Sequence, residues 1–122
     1  MSQIRVLLVD DNETFRDTVR RFLARQEGVE VVGEAGEAKA GLVLAQELKP
    51  DVVLMDLVLP GVNGFEAARW LTEKFPDIRV VALTMHDTEA HRQAAAESGC
   101  SAFVSKLMLW SELMPALTGA EA

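Results

Sequence analysis

Three acidic residues stand directly after two short apolar runs. Asp10 and Asp11 follow IRVLLV, and Asp56 follows VVLM. Carboxylates that are brought together repel one another, so a protein places a cation among them or raises the pKa of one of them. Oxygen ligands suit a hard ion such as Mg²⁺, which keeps several waters and leaves a position for a phosphate oxygen. The three acids therefore predict a divalent metal site that serves phosphoryl transfer.

Two further polar residues end apolar runs later in the chain. Thr84 follows VVAL, and Lys106 follows AFVS. Lys106 can offer a point cation to incoming phosphoryl oxygens, and the Thr84 hydroxyl can donate a hydrogen bond to the same group. A carboxylate nucleophile would form an acyl phosphate, and the protein would contribute mainly positioning and electrostatics.

The apolar runs themselves predict the sheet that must bring these residues together. Short runs of Val, Ile and Leu alternate with helical patterns, as is typical of strands that are covered on both faces. The predicted strands are 4–9, 29–34, 52–55, 78–83 and 102–105. Five such units predict a doubly wound α/β fold with a parallel sheet, which binds ligands beyond the carboxyl ends of its strands.

Helical periodicity fills the gaps between the strands. The first helix has one apolar stripe, made of Phe15, Thr18, Val19, Phe22 and Leu23. Its outer face carries Arg16, Arg20 and Arg25, which we predict to be solvated. The fourth helix, about 88–98, has only alanines at its predicted inner positions, Ala90, Ala94 and Ala95. It should bury little apolar area and be held loosely.

Composition limits the class of protein. A chain of 122 residues suits one domain with a single core, and no apolar run is long enough to predict a membrane segment. The single cysteine, Cys100, excludes a disulfide within the chain and favours a reducing compartment, so we predict a cytoplasmic protein. A net charge of −7 disfavours nucleic acid, so contact with DNA would need another domain.

These motifs resemble those of the receiver domains of two-component response regulators. The acidic pair in VDDNE, the segment DLVLPGVNG, the threonine of VVALT and the lysine of AFVSK have that family's order and spacing over essentially the whole chain. EVVGEAGEA and KPDVVLMDLVLPGVNGFEA are most similar to the NarL-type subgroup. The resemblance implies a flavodoxin-like fold with strand order 2-1-3-4-5.

The resemblance also implies roles for the site residues. Asp56 would accept a phosphoryl group from a sensor histidine kinase, assisted by Lys106 and Thr84. A Mg²⁺ or Mn²⁺ ion would be held by Asp10, Asp11, Asp56 and the backbone carbonyl of Val58. Such a domain catalyses its own phosphorylation and dephosphorylation and is a signalling protein, not a conventional enzyme.

A switch and an output follow from the same resemblance. Thr84 and Phe103 would form the switch pair that reshapes the surface of the fourth helix, fifth strand and fifth helix. That surface would control an output domain or a partner, or would pair two copies of the chain. We predict residues 1–118 as the receiver and 119–122 as a tail or the start of a linker. A C-terminal helix-turn-helix, common in the subgroup, would supply any DNA binding.

Two departures from the family pattern predict local differences. Leu107 follows Lys106, where the family usually has a cis proline. A non-proline cis bond costs about 2.5–4 kcal/mol, so we expect a trans bond, a rearranged loop and a less firmly placed Lys106.

Pro115 should kink the last helix or make its start irregular. The inner stripe of that helix is predicted as Trp110, Leu113, Met114 and Leu117. The surplus apolar residues, which favour a partner-binding patch, are Leu107, Met108, Leu109 and Trp110.

Three alternatives share this fold or this chemistry. A flavin protein fits poorly, because an FMN phosphate favours Ser, Thr and Gly amides at the first turn, where the segment of Asp11, Asn12 and Glu13 puts anions. A phosphatase that forms an aspartyl phosphate usually has a second acid where this chain has Val58. A degenerate receiver would act as a phosphorylation-independent interaction module, and Leu107 and Pro115 favour it.

Overall fold

A computed structural model describes residues 3–59 and 63–119 as five strands alternating with five helices. The strands are β1 (Ile4–Val9), β2 (Val29–Ala35), β3 (Val52–Asp56), β4 (Arg79–Thr84) and β5 (Ala102–Ser105). The helices are α1 (Glu13–Ala24), α2 (Ala38–Leu48), α3 (Gly64–Lys74), α4 (Glu89–Glu97) and α5 (Leu109–Thr118). Within the described residues, no helix has both the length and the apolar character needed to cross a membrane.

All strands are parallel and form one sheet in the order β2-β1-β3-β4-β5. This confirms the predicted fold class and strand order, and each predicted strand boundary falls within one residue of the observed one. Alternate residues of β1 pack into two hydrophobic cores, one on each face of the sheet. Val6 and Leu8 pack with α1 and α5, whereas Leu7 and Val9 pack with α2 and α3 on the other face. The sheet is therefore covered on both sides, as its apolar runs predict.

Helix α1 covers the sheet with four of the five residues of the predicted stripe. Val19 and Leu23 are buried and Phe15 and Phe22 are half-buried, whereas Thr18 is exposed, so its assignment to the stripe was wrong. The helix begins after Asn12, whose side chain accepts a hydrogen bond from the Phe15 amide over 2.9 Å. This N-cap satisfies one of the amide groups that a helix leaves unpaired at its start.

Helix α4 is held by little buried surface. Thr88 caps it by accepting a hydrogen bond from the His91 amide over 3.1 Å. Ala95 is its one buried residue, Ala94 is half-buried, and Ala90 is exposed. The prediction of an inner Ala90 was wrong, but the conclusion that α4 buries little apolar area is confirmed.

Helix α5 runs through Pro115 and starts after a 3₁₀ helix at Lys106–Met108. The irregular start was predicted, and the bond between Lys106 and Leu107 is trans, as expected. Proline leaves the carbonyl four residues earlier without its usual amide partner, and that carbonyl belongs to Ser111, which is exposed to water. The helix therefore needs no break at Pro115.

The inner face of α5 differs from the predicted stripe. Its buried residues are Leu109, Leu113, Ala116 and Leu117. Trp110 is 56% exposed, so its assignment to the inner stripe was wrong. The preceding 3₁₀ helix sets the orientation of α5 so that Leu109 faces the sheet. Trp110, the next residue in sequence, then lies about 100° around the helix axis from Leu109.

The end of the described chain is Gly119, which caps α5 in the left-handed conformation with φ 73°. Glycine has no Cβ and adopts this conformation without strain. The rest of the predicted tail, residues 120–122, lies outside the described residues, so the boundary at residue 118 stays a prediction.

Leu113 and Leu107 provide a matched test of how α5 packs. Leu113 is fully buried, whereas Leu107 is 70% exposed. Leu113→Ala should lower the free energy of unfolding by about 2–5 kcal/mol because it leaves a cavity. Leu107→Ala should change it by about 0.5 kcal/mol or less. Urea denaturation measures both values, and losses of equal size would contradict this orientation of α5.

Candidate functional site

The carboxyl ends of neighbouring strands bring three carboxylates together. Asp10 follows β1, and Asp56 is the last residue of β3, which pairs with β1. Both are buried, whereas Asp11 is exposed. One oxygen of each carboxylate lies within 4.8 Å of the others. The acidic cluster predicted from the strand ends is therefore present at one edge of the sheet.

Lys106 bridges the two buried carboxylates of this cluster. Its Nζ donates to Asp10 Oδ2 over 2.5 Å and to Asp56 Oδ2 over 2.8 Å. The same nitrogen lies 4.3 Å from the ring centroid of Phe15, close enough for a cation–π contact. The lysine side chain is only 11% exposed. The expectation that Leu107 would leave Lys106 loosely placed was wrong, because these three contacts hold the ammonium group.

Backbone amides fix the other oxygens of the buried carboxylates. Asp10 Oδ1 accepts from the Asn12 amide over 2.9 Å, and Asp56 Oδ1 accepts from the Val58 amide over 2.8 Å. Each buried carboxylate thus has one oxygen on a local backbone amide and the other on Lys106. Hydrogen bonds with a charged partner are shorter and stronger than neutral ones, so both carboxylates are held in fixed orientations.

Burial and the neighbouring charges shift the pKa values of Asp56 and Lys106. Burial raises the pKa of Asp56, and the charge of Asp10 adds to the rise. The hydrogen bond and charge of Lys106 and the Val58 amide oppose it, and the net shift is upward. Burial lowers the pKa of Lys106, but its bonds to Asp10 and Asp56 outweigh that effect, and the net shift is again upward. Lys106 is therefore an ammonium ion at neutral pH.

The donor set fits a hard divalent cation. Three ionised carboxylates and one ammonium ion leave a net charge of two negative units at the cluster. All the side-chain donors are carboxylate oxygens, which are ligands that Mg²⁺ and Ca²⁺ prefer. A divalent cation would offset the remaining charge and relieve the repulsion from Asp10, which adds to the larger effect of burial in raising the pKa of Asp56.

The two predicted switch residues lie on the neighbouring strands. Thr84 ends β4, pairs with Ser105 of β5, and is fully buried. Its hydroxyl accepts a hydrogen bond from the His86 amide over 2.9 Å. Phe103 is half-buried and packs against the small core of Leu57, Ala82 and Ala95. Thr84 therefore lies at the same sheet edge as the cluster, and Phe103 lies on the neighbouring strand β5, which leads to α5.

Arg92 covers the exposed side of Phe103. Its guanidinium carbon lies 4.7 Å from the ring centroid, and its Nε donates to Asp87 Oδ1 over 2.6 Å. These bonds connect the start of α4 with β5. Sequence reasoning missed Arg92, because no periodicity relates a residue of α4 to the aromatic residue of the next strand.

Arg16 was predicted to be solvated, and that prediction was wrong. Its guanidinium donates to the Asp10 carbonyl over 2.5 Å and pairs with Glu34 over 3.2 Å, and its side chain is 17% exposed. Arg20 and Arg25 are exposed, as predicted. Spacing along α1 does not separate Arg16 from the other two, because the distinction depends on where the end of β1 lies.

The chain matches the response regulator receiver domain family over residues 6–118. It is 40% identical over 114 residues to the response regulator GacA of Pseudomonas viridiflava, covering 93% of this chain and 53% of that protein. It is 37% identical over 117 residues to the transcriptional regulatory protein LiaR of Bacillus subtilis, covering 96% and 56% respectively. The chain thus spans about half the length of the curated relatives it matches.

Solved structures give the same result. A LuxR-family two-component response regulator from Aurantimonas sp. SI85-9A1 is similar with a TM-score of 0.87 and 37% identity, covering 97% of this chain and 87% of that one. The signal receiver domain of NarL from Mycobacterium tuberculosis is similar with a TM-score of 0.87 and 30% identity, covering 98% and 99%. These similarities agree with the NarL-type resemblance found in the motifs.

Replacing Lys106 by Met should raise the pKa of Asp56 further, because the substitution removes a hydrogen bond and a positive charge that lower it. An acid whose pKa is higher in the folded protein than in the unfolded one binds more protons when folded. The contribution of Asp56 to folding stability therefore falls as the pH rises from the unfolded to the folded pKa. That window should extend to higher pH in Lys106→Met. Carbon-13 NMR of the carboxyl groups, with chelator present, measures the shift.

Lys39→Met is the matched control, because Lys39 is exposed on α2. It should leave the titration of Asp56 as in the native chain. An Asp56 pKa that is unchanged or lower in Lys106→Met would contradict this description of the cluster.

Proposed function

This chain belongs to the response regulator receiver domain family, and on that premise we propose that it is a signalling switch phosphorylated on Asp56. The observation that carries the proposal is the bridge from Lys106 to Asp10 and Asp56 at an edge that also holds Asp11. It combines a fixed carboxylate, a cation for the phosphoryl oxygens and a place for a metal.

The proposed donor is a phosphohistidine of a sensor histidine kinase. An oxygen of the Asp56 carboxylate attacks phosphorus, the phosphorus–nitrogen bond breaks, and the imidazole leaves with the bonding electrons. The Lys106 ammonium group then contacts the phosphoryl oxygens, where it offsets the negative charge that develops. Water later cleaves the acyl phosphate and restores the carboxylate. The chain therefore acts as a switch that resets, without the turnover of a conventional enzyme.

Mg²⁺ or Mn²⁺ is the proposed cofactor. Its ligands would be Asp10, Asp11, Asp56 and the backbone carbonyl of Val58. When bound, the ion offsets charge on the transferring phosphoryl group. The exposure of Asp11 beside two buried acids supports this proposal, because Mg²⁺ usually keeps several waters and needs a partly open site.

Thr84 and Phe103 are the proposed switch pair. A hydroxyl donates one hydrogen bond while it accepts others, so Thr84 can donate to the phosphoryl group and still hold the His86 amide. Movement of Thr84 toward Asp56 would then draw in the segment that leads to α4. Phe103 would turn inward and leave the Arg92 guanidinium, which changes the surface of α4, β5 and α5.

The proposed output is an attached domain or a partner protein that reads the surface of α4, β5 and α5, with a homodimer through that face as one form. Leu107, Met108 and Trp110 are exposed there or beside it, which supports the predicted apolar patch, but its fourth predicted member, Leu109, is buried and was wrongly included. Relatives about twice as long include transcriptional regulatory proteins, so a DNA-binding helix-turn-helix beyond this domain is proposed as the output. The proposed location is the cytoplasm, where a single unpaired thiol is expected.

The degenerate receiver is the weaker alternative. It drew support from Leu107, but the contacts of Lys106 with Asp10 and Asp56 keep the group that a phosphorylated receiver requires. We therefore favour an active switch.

Acetyl phosphate with Mg²⁺ should add one phosphoryl group to the native chain, because the Asp56 carboxylate is held in a fixed orientation beside the Lys106 ammonium group. Asp56→Asn should abolish the labelling, and the exposed control Asp77→Asn should keep it. Intact-mass spectrometry before and after mild base, which hydrolyses acyl phosphates, measures the modification. Failure of the native chain to react would overturn the proposed function and favour the degenerate receiver.

Mg²⁺ should raise the melting temperature of the native chain, because a ligand that binds only the folded state stabilises it. The gain is about 2.7 kcal/mol at a concentration 100 times the dissociation constant. Asp11→Asn should weaken this dependence on concentration, since it removes one proposed ligand. Glu73→Gln, an exposed change on α3, is the control and should respond like the native chain at matched ionic strength. Equal responses of all three chains would exclude Asp11 as a ligand.

A further inference from the structure

Glu112 reaches from the first turn of α5 back to the end of β5. Its Oε1 accepts a hydrogen bond from the Ser105 amide over 3.0 Å. Ser105 is 1% exposed, so this amide has a charged acceptor at a place from which water is largely excluded. Hydrogen bonds to a carboxylate are stronger than neutral ones, and a buried amide without a partner is costly. The bond therefore fixes the backbone immediately before Lys106.

Ser105 also fixes the backbone immediately after Lys106. Its hydroxyl oxygen accepts a hydrogen bond from the Leu107 amide over 3.2 Å and so caps the 3₁₀ helix at Lys106–Met108. Glu112 holds Ser105, and Ser105 holds Leu107. The backbone on both sides of Lys106 is therefore held by hydrogen bonds that depend, directly or through Ser105, on the Glu112 carboxylate.

This arrangement gives Lys106 the restraint that its own sequence lacks. Proline after the lysine would restrict the backbone through its ring, whereas Leu107 is 70% exposed and has no such constraint. The ammonium group of Lys106 nevertheless stands within hydrogen-bond distance of both Asp10 and Asp56. The contacts with Asp10, Asp56 and Phe15 hold the end of this side chain, and the hydrogen bonds of Ser105 hold the backbone from which it starts.

We propose that Glu112 is a positioning residue for phosphoryl transfer, which acts through the Ser105 amide to place the Lys106 ammonium group between Asp10 and Asp56. The inference rests on the proposed function and adds to it a residue that never touches the phosphoryl group. It also predicts that the acceptor oxygen of Glu112 matters most and that the charge of the carboxylate contributes less.

Charge offers a competing role for the same residue, because the Glu112 carboxylate also acts electrostatically on Arg92. Glu112→Gln separates the two roles, since glutamine keeps an acceptor oxygen but loses the charge. Glu112→Leu removes both. Glu73→Leu, an exposed substitution on α3, is the matched control for the change of a glutamate to leucine.

The test compares initial rates of labelling by acetyl phosphate and Mg²⁺ in these variants. Glu112→Leu should react about tenfold more slowly, because misplacing a catalytic group by a fraction of an ångström is costly. Glu112→Gln should recover most of that loss, and Glu73→Leu should match the native chain. In a Lys106→Met background, Glu112→Leu should cause no further loss, because two residues that act through one contact are not additive.

A second readout is independent of phosphorylation. The nuclear Overhauser effect between the Lys106 ε-methylene and the Phe15 ring reports where the lysine lies, since Nζ is 4.3 Å from the ring centroid. It should persist in Glu112→Gln and weaken in Glu112→Leu, while urea denaturation shows that both remain folded.

The outcomes separate the inference from the proposed function. A native rate or an unchanged Overhauser effect in Glu112→Leu overturns the inference alone. So does a Glu112→Gln chain that is as slow as Glu112→Leu, which would assign the effect to charge. No labelling of the native chain overturns the proposed function, and the Overhauser comparison still decides whether Glu112 places Lys106.

Discussion

The site depends on one ammonium group held between two buried carboxylates. A buried ion pair is weak evidence of stability, because removing charges from water costs energy that their attraction only partly returns. Apolar residues of similar size would serve the fold of this sheet edge at least as well. The bridge from Lys106 to Asp10 and Asp56 is therefore better explained by chemistry than by folding. The surrounding contacts hold charged groups that the fold itself does not need.

Strand order explains why a lysine serves here. Lys106 directly follows β5, β4 separates β5 from β3, and neighbouring strands lie about 4.8 Å apart, so the side chains of Lys106 and Asp56 together must span roughly 9–10 Å. A long, flexible side chain can do this only if its base is well directed. Thr84 ends the intervening strand, where it pairs with Ser105, the residue before Lys106. The Phe15 ring of α1 limits where the ammonium group can lie.

The sequence predicted the strands and the acidic edge because both depend on regular rules. Short apolar runs define parallel strands, and parallel strands bring their carboxyl ends to one edge. Contacts that depend on irregular backbone were not predictable. Glu112 reaches Ser105 only because a 3₁₀ helix intervenes, and the same turn sets the phase of α5 that exposes Trp110. Arg16 donates to the Asp10 carbonyl and is less exposed than Arg20 or Arg25, and periodicity along α1 does not report that contact.

Magnitudes show why the proposed switch can respond to one phosphoryl group. A cation–π contact at a partly exposed site, such as that of Arg92 with Phe103, contributes about 0.5–1 kcal/mol. A hydrogen bond from Thr84 to a charged phosphoryl oxygen contributes about 1.5–3 kcal/mol. The new bond can therefore outweigh the old contact. Because α4 buries a single alanine fully, moving it exposes little apolar surface and adds little to the cost. A more tightly packed α4 would oppose the transition, so the weak packing of this helix suits the proposed function.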